Sequence, residues 1–410
     1  LKAELPVNFK QAFKMRPKEW LIYNGLIAFF KISGLWKYPP KASGDLETMT
    51  YMDKVYWLYK TIYPMKKARL GSGLESHFEK QKTHHWKLPA GFKTTKELSF
   101  SAVGDLMPHA YLLNSADTLY SEVSDLIFGV DISMANLECV LYEKASGALS
   151  FSPRSGPPLF YKFESFDIVK GFKDKKYSFM ATACNHSLDF GAEGVASTIQ
   201  KLRQEGIQFN GVNETEDNAD LATIVEKDGV KLGFISYTFG LNAYRPPADR
   251  PKIVNRAPLN DGVKKIDFSQ YKKQIEHCKR EKVDLIITHL HWGMEHEFYP
   301  LPEQVELSHT MAEMGADVIV GHHPHVIQPL EFYRTKRDSE RVVPIYYSLG
   351  NLINPFTAPY LSLSYVAQME IAKGTTQNGS PLTYVTNAKA VEVLQIADEQ
   401  KKKIRLTRKI

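Results

Sequence analysis

Hydrophobic and polar positions along the chain follow two patterns that change over near residue 95. Before that point apolar residues recur at helical spacing. In "LETMTYMDKVYWLYKTIYPM" (46–65), Met49, Met52, Val55, Tyr56 and Leu58 lie within reach of one stripe. "LIYNGLIAFFKISGLW" (21–36) is the most apolar stretch. It is shorter than the ~20 residues of a membrane span and contains Lys31. A packed helix is therefore expected, ahead of a signal-like or membrane-surface segment following the basic "KMRPKEW". Residues 1–95 read as a mostly helical N-terminal extension. Its histidines, His77, His84 and His85, are taken to stand without acidic or cysteine company and read as structural or exposed.

From residue 96 the pattern alternates between buried strands and amphipathic helices. Strand-to-loop passages are expected at 97–105, 130–138 and 177–186. Two more run into histidines, "VDLIITHLHWG" (283–293) and "DVIVGHHPH" (317–325). Helices are expected at 116–128, 163–175, 191–206, 264–281 and 302–316, with Gly206 stopping the third. "ATIVEKDGVKLGFISYT" (222–238) predicts a hairpin around Asp-Gly. The region after residue 325 is β-rich. This alternation implies an α/β sandwich, partly parallel, with a second sheet packed on the first. In such sheets ligands gather where loops leave the carboxyl ends of strands.

Composition narrows the picture. A 410-residue chain that is 43% hydrophobic and 24% charged builds a large buried core. A net charge of +6 is mildly basic, and a solvated surface explains it better than a nucleic-acid groove does. Three cysteines, Cys139, Cys184 and Cys278, make neither a disulfide framework nor a zinc-knuckle spacing.

The predicted strand ends carry the candidate chemistry. They are Asp105; Asn136 and Glu138; Asn185 and His186; His289 and His291; and His322, His323 and His325. Seven of the thirteen histidines lie between 289 and 325. Clustered imidazoles and carboxylates repel or desolvate one another unless a cation joins them. Mixed His, Asp, Asn and Glu donors suit manganese, iron or zinc rather than calcium. Two such ions sharing a carboxylate activate water and stabilise an in-line displacement. Arg154 and Arg245, in loops, are candidate clamps for a carboxylate or phosphate substrate.

The motifs "VGDLMPH", "ANLE", "CNHSLDFGAEGVASTIQKLRQEGI", "HLHWGMEHEFYPLPEQ", "GADVIVGHHPHVIQPLE" and "YYSLGN" occur in that order. Over about residues 97–370 the chain resembles the capsule-biosynthesis CapA family, the poly-γ-glutamate synthesis proteins, a branch of the calcineurin-like metallophosphoesterase superfamily. The resemblance implies a four-layer α/β/β/α sandwich over 96–410. It implies Asp105, Glu138, Asn185, His291, His323 and His325 as ligands of two divalent ions, with His186 assisting the leaving group. His322 falls where the superfamily has glycine. Met107 falls where the superfamily's first motif has histidine, and Cys184 where the family has asparagine. Glu295, Arg154, Arg245 and Asn351 are placed around the substrate. The implied activity is a metal-dependent hydrolase acting on an anionic phosphoester or γ-glutamyl polymer; the alternative is a non-catalytic polymer-binding or export component of a polyglutamate synthase complex. The expected partners are that substrate and synthase components, without nucleic acid. The expected location is extracytoplasmic or at the membrane surface, not integral, with the cytoplasm left open.

Overall fold

A computed structural model describes residues 16–81, 86–144, 158–356 and 358–409. Helix α1 (Pro17–Ser33) opens on proline and stops at Gly34, whose φ of 65° is left-handed. Helix α2 (Tyr51–Ile62) is capped by Thr50, whose hydroxyl accepts from the Asp53 N–H while the Asp53 carboxylate accepts from the Thr50 N–H. The expected stripe is shifted: α2 buries Val55, Tyr56, Tyr59 and Lys60, Met52 is exposed, and Met49 precedes the helix. The α1 residues Tyr23, Ile27 and Phe30 pack with Trp36 and this face. Leu21, Ile22, Phe29 and Ile32 of α1 face outward. Helix α3 (Leu74–Glu79) follows.

The sandwich is built from β1 (Lys93–Leu106), α4 (Ser124–Phe128), β2 (Ile132–Leu137), α5 (Phe163–Val169), β3 (Phe179–Ala181), α6 (Gly191–Gln204) and β4 (Gln208–Asn210). It continues through β5 (Thr223–Lys227), β6 (Val230–Thr238), α7 (Ser269–Arg280), β7 (Leu285–His291), α8 (Pro302–Met314) and β8 (Val318–His322). The tail contributes β9 (Leu330–Arg334), β10 (Val342–Tyr346), β11 (Asn351–Ile353), β12 (Leu363–Thr375), β13 (Pro381–Asp398) and β14 (Lys403–Arg408).

One sheet runs β14-β13-β12-β1-β2-β3-β4, with β11 also paired to β1; the other runs β9-β10-β8-β7-β6-β5. Strands β1 to β4 are parallel, as are β6, β7, β8 and β10. Between the sheets Phe100, Met134 and Phe179 meet Phe234, Ile287 and Val320. Phe179 stacks on Phe234 at 4.1 Å; burying each such side chain contributes roughly 1.5–3 kcal/mol. Helices α4, α5 and α6 cover the outside of the first sheet, and α3, α7 and α8 the outside of the second. The fold is thus the expected four-layer α/β/β/α sandwich.

Three helices are shorter than their patterns predict, the one expected over 264–281 beginning only at Ser269. Residues 116–123 are turns, because the Leu119 carbonyl accepts from Leu406 N–H of β14 and the Thr118 hydroxyl bonds the Ile404 carbonyl. Tertiary hydrogen bonds there replace helical ones. The helix expected over 163–175 ends at Val169 and gives way to a small antiparallel ladder, Gly171–Phe172 against Lys175–Lys176. The Asp-Gly hairpin forms as its pattern predicts, with both Asp228 and Gly229 at positive φ.

Candidate metal centre

Parallel strands from both sheets end at one rim, and register sets which side chains meet there. Asp105 on β1 pairs with Asn136 on β2 and Asn351 on β11, and His291 on β7 pairs with His322 on β8. A Cβ at Gly104 would come within 2.1 Å of the Gly350 carbonyl, so glycine there lets β11 close against β1. After β8 the chain turns sharply. His323 and His325 flank Pro324 with φ of 95° and 59°, a left-handed strain of about 1–2 kcal/mol each. Such strain persists where surrounding contacts over-determine the geometry.

Asp105 is fully buried. Its Oδ1 accepts from Asn136 Nδ2 at 2.7 Å and lies 2.8 Å from His322 Nδ1; its Oδ2 is 3.4 Å from His325 Nδ1. Burial pushes its carboxyl up, but the neighbouring His322 and His325 imidazoles outweigh it and hold Asp105 well below the ordinary range. Glu138 behaves oppositely. Burial, helped by the Asp105 charge and opposed by His325, raises it well above the usual carboxylate range. For His325 burial acts downward, yet Glu138, Asp105 and Glu295 carry it up to about 10. Burial and neighbouring imidazoles push His291 and His323 down, keeping them neutral.

Glu138 decides what this arrangement can hold. Both its carboxylate oxygens are buried without a hydrogen-bond partner, as are Asp105 Oδ2 and His323 Nδ1. A buried carboxylate left so is costly unless a cation joins it. Glu138 Oε1 lies 3.6 Å from both His291 Nε2 and His325 Nε2. Donor atoms of Glu138, His291 and His323 lie within 4.8 Å of one another, as do those of Asp105, Glu138 and His325. Two overlapping donor groups share Glu138. Their oxygen and imidazole donors fit borderline divalent cations.

The remaining predicted residues group around this core. Asn185 Oδ1 sits 2.8 Å from His291 Nε2, and its amide donates to Asn242. His186 Nδ1 is 2.6 Å from Asp189 Oδ2, which also accepts from the Leu159 N–H. Asn351 Oδ1 is 2.8 Å from His325 Nδ1. Glu295 lies beside His323 and His325. Arg245 is exposed, 3.6 Å from Glu47, and its loop reaches the rim through Asn242 rather than through its own guanidinium. Arg154, His84 and His85 lie outside the described residues.

Several positions differ from expectation. His296, a polar residue in sequence, is buried, because its N–H bonds the Pro324 carbonyl and draws the segment under the histidine loop. His77 has acidic company after all: it and His309 both meet Glu331 Oε1 at 2.9 Å. Met107 is part of the apolar core. Burial, chiefly, pushes the Cys139 and Cys184 thiols well up, so both are inert small hydrophobes. Sequence reasoning missed Asp189 and Asn242 around His186, and Tyr56, Trp57 and Lys60 from α2. Trp57 Nε1 donates to Glu295 Oε2 at 2.7 Å, and Lys60 Nζ meets Glu297 at 2.8 Å. Asp189, three residues after His186 in "NHSLD", was detectable as a possible imidazole orienter.

The family described as bacterial capsule synthesis protein PGA_cap matches residues 99–355. The chain belongs to that family. Capsule biosynthesis protein CapA of Bacillus anthracis is 26% identical over 278 residues, 65% of this chain and 62% of that protein. PGA biosynthesis protein CapA of Bacillus subtilis is 26% identical over 264 residues, 62% of this chain and 63% of that protein. A Mycobacterium tuberculosis protein named as a polyglutamine synthesis accessory protein is 27% identical over 232 residues, 55% and 56% of the two chains. The match spans less than two thirds of each relative. The PGA_cap region holds the whole rim and leaves out α1 to α3 and β12 to β14.

Proposed function

We propose that this chain is a CapA-like protein of capsule polymer biosynthesis whose rim holds two divalent cations, manganese, iron or zinc, and hydrolyses an anionic substrate. The observation carrying this reading is the pair of unpartnered Glu138 oxygens among three imidazoles and Asp105. In it, Asp105, Glu138 and His325 form one cation position, and Glu138, Asn185, His291 and His323 the other. The cations would supply Lewis acidity and an acidified water. The chain's own residues do the rest. Asp189 accepts from one His186 nitrogen and so turns the other toward the reacting group, where it gives a proton to the departing oxygen or nitrogen. Asn242 keeps that ring in place. Asn351 and His322 orient His325 and Asp105.

The substrate class is an anionic phosphoester or a γ-glutamyl polymer, with Arg154 as its clamp and Glu295 and Asn351 beside it; Arg245, exposed and turned to Glu47, would join only by swinging its side chain toward the rim. The relatives named for capsule and PGA biosynthesis favour the polymer and a cell-surface or membrane-associated location. Among the described residues no helix is long and apolar enough to cross a membrane. The reading keeps residues 1–95 as an N-terminal extension and 96–410 as the metallophosphoesterase-like domain. In its favour, α1 and α2 gather an apolar cluster of their own.

A second reading, a non-hydrolytic component of a polyglutamate synthase complex, is favoured by Met107, which puts a core side chain where a metal-binding histidine would stand. The test is metal analysis of the purified protein, with assays on phosphoesters and γ-glutamyl polymers in added manganese. Stoichiometric metal whose removal abolishes turnover supports the hydrolase. Bound metal without turnover supports the second reading, and absence of both sinks the first.

A further inference from the structure

We infer that Glu295 is an additional metal ligand, held in place by Trp57 from the N-terminal helix α2, so that the metal centre is completed by a segment outside the PGA_cap region. The inference rests on the two-cation reading above. A carboxylate oxygen of Glu295 and nitrogens of His323 and His325 lie within 4.8 Å of one another, making a third donor group that shares one histidine with each of the other two.

The approach of Glu295 is built into the chain. The backbone at 296–298 is clamped from both sides. His296 N–H donates to the Pro324 carbonyl, Met65 N–H to the His296 carbonyl, and Phe298 N–H to the Met65 carbonyl. Trp57 Nε1 then donates to Glu295 Oε2 at 2.7 Å. An indole N–H satisfies only part of what a carboxylate can accept, leaving lone pairs for a cation. The neighbouring Glu297 is engaged differently. Its Oε1 takes Lys60 Nζ at 2.8 Å and the Tyr56 hydroxyl at 3.1 Å, so its charge is already offset.

Charge and donor count agree with the assignment. Two divalent cations bring four positive charges, and Asp105 and Glu138 offset two; Glu295 offsets a third and still leaves a positive centre for an anionic substrate. Met107 withholds one donor from the rim, and Glu295 restores one. A fixed indole partner also orients the ligand, as hydrogen-bonding partners of metal ligands generally do.

The test is cobalt(II) and manganese(II) titration of the full chain, read by bound-metal analysis and by the visible spectrum of the cobalt form. Wild type is compared with Glu295→Gln, Trp57→Phe and His323→Ala, with thermal unfolding checking the fold of each. Trp57→Phe keeps an aromatic side chain but loses the N–H together with the pyrrole half of the indole; affinity should fall by about 10-fold. Glu295→Gln should lose more and alter the cobalt bands at saturation. If wild type binds no metal, the two-cation reading fails and this inference with it. If wild type binds, His323→Ala loses metal and Glu295→Gln keeps both affinity and spectrum, this inference alone is overturned. A Glu295→Gln effect without any Trp57→Phe effect keeps the ligand and overturns the positioning role. Should Glu295→Gln fail to fold, Glu295→Asp serves: retained binding with shifted bands supports the ligand, and unchanged bands refute it.

Discussion

Replacing Lys60 by methionine tests how α2 is fastened beside the rim. Lys60 Nζ is fully buried, 2.8 Å from a Glu297 carboxylate that is only 3% exposed, and it sits 4.6 Å above the Tyr56 ring. Lys60→Met conserves shape but leaves Glu297 charged, buried and held only by the Tyr56 hydroxyl. Breaking a buried pair this way costs about 3–5 kcal/mol. For 410 residues, an unfolding entropy of about 2.1 cal/mol/K per residue gives roughly 0.9 kcal/mol per degree, hence a Tm lower by about 3–6 °C. The assay is thermal unfolding of Lys60→Met, Glu297→Gln and the double variant, without metal and at one pH. The double variant carries no orphaned charge, so it should be more stable than Lys60→Met alone. A Lys60→Met protein within about 1 °C of wild type would refute the reasoning, as would a double variant less stable than either single one.

Other expectations follow from the rim itself. His323→Ala should cut bound metal far more than His322→Ala, whose effect passes through Asp105 and should be about 10-fold in affinity; equal losses in metal analysis would mean the assigned pair is wrong. Asp189→Asn should leave metal content unchanged and depress turnover, because His186 loses the partner that fixes its tautomer; unchanged kcat would remove His186 from proton transfer. In metal-free protein His325 is raised from 6.5 to about 10. The stability it contributes is present below pH 6.5 and lost as pH rises toward 10, so Tm should fall over that window. Glu138, also raised, acts in the same direction, its contribution present below its ordinary 4.5 and lost as pH rises. A His325→Gln variant with an equally steep decline would assign the loss elsewhere.

Much of this architecture could be read along the chain where the signal was local. Apolar runs ending in Asp105, Glu138, His291 and His323 marked strands and their ends, and two-residue turn chemistry marked the 222–238 hairpin. Those residues meet because parallel register carries neighbouring strand ends to one rim, a consequence of topology rather than of any single motif. What escaped was decided across long separations. Lys60 looks like a solvated helix charge until Glu297, 237 residues later, is placed beside it. The pattern over 116–128 is helical in isolation, and only β14 shows why most of it is not. His296 is an ordinary polar residue in sequence; its burial follows from the hydrogen bond to Pro324.

The distances in sequence among the rim's parts bear on how the protein assembles. Strand β1 pairs along its length with β12, Lys93 opposite Thr375, and Trp57 waits 238 residues for Glu295. Donors extend from residue 105 to residue 325. Closing such long loops must precede the contacts that reward it, which slows folding. During synthesis, therefore, no such donor group is complete until His323 has emerged, and α2 emerges long before the acidic residues it fastens. Metal capture by the proposed centre would be a late event in the life of this chain, and a cation in the rim would report that both sheets have already closed on each other.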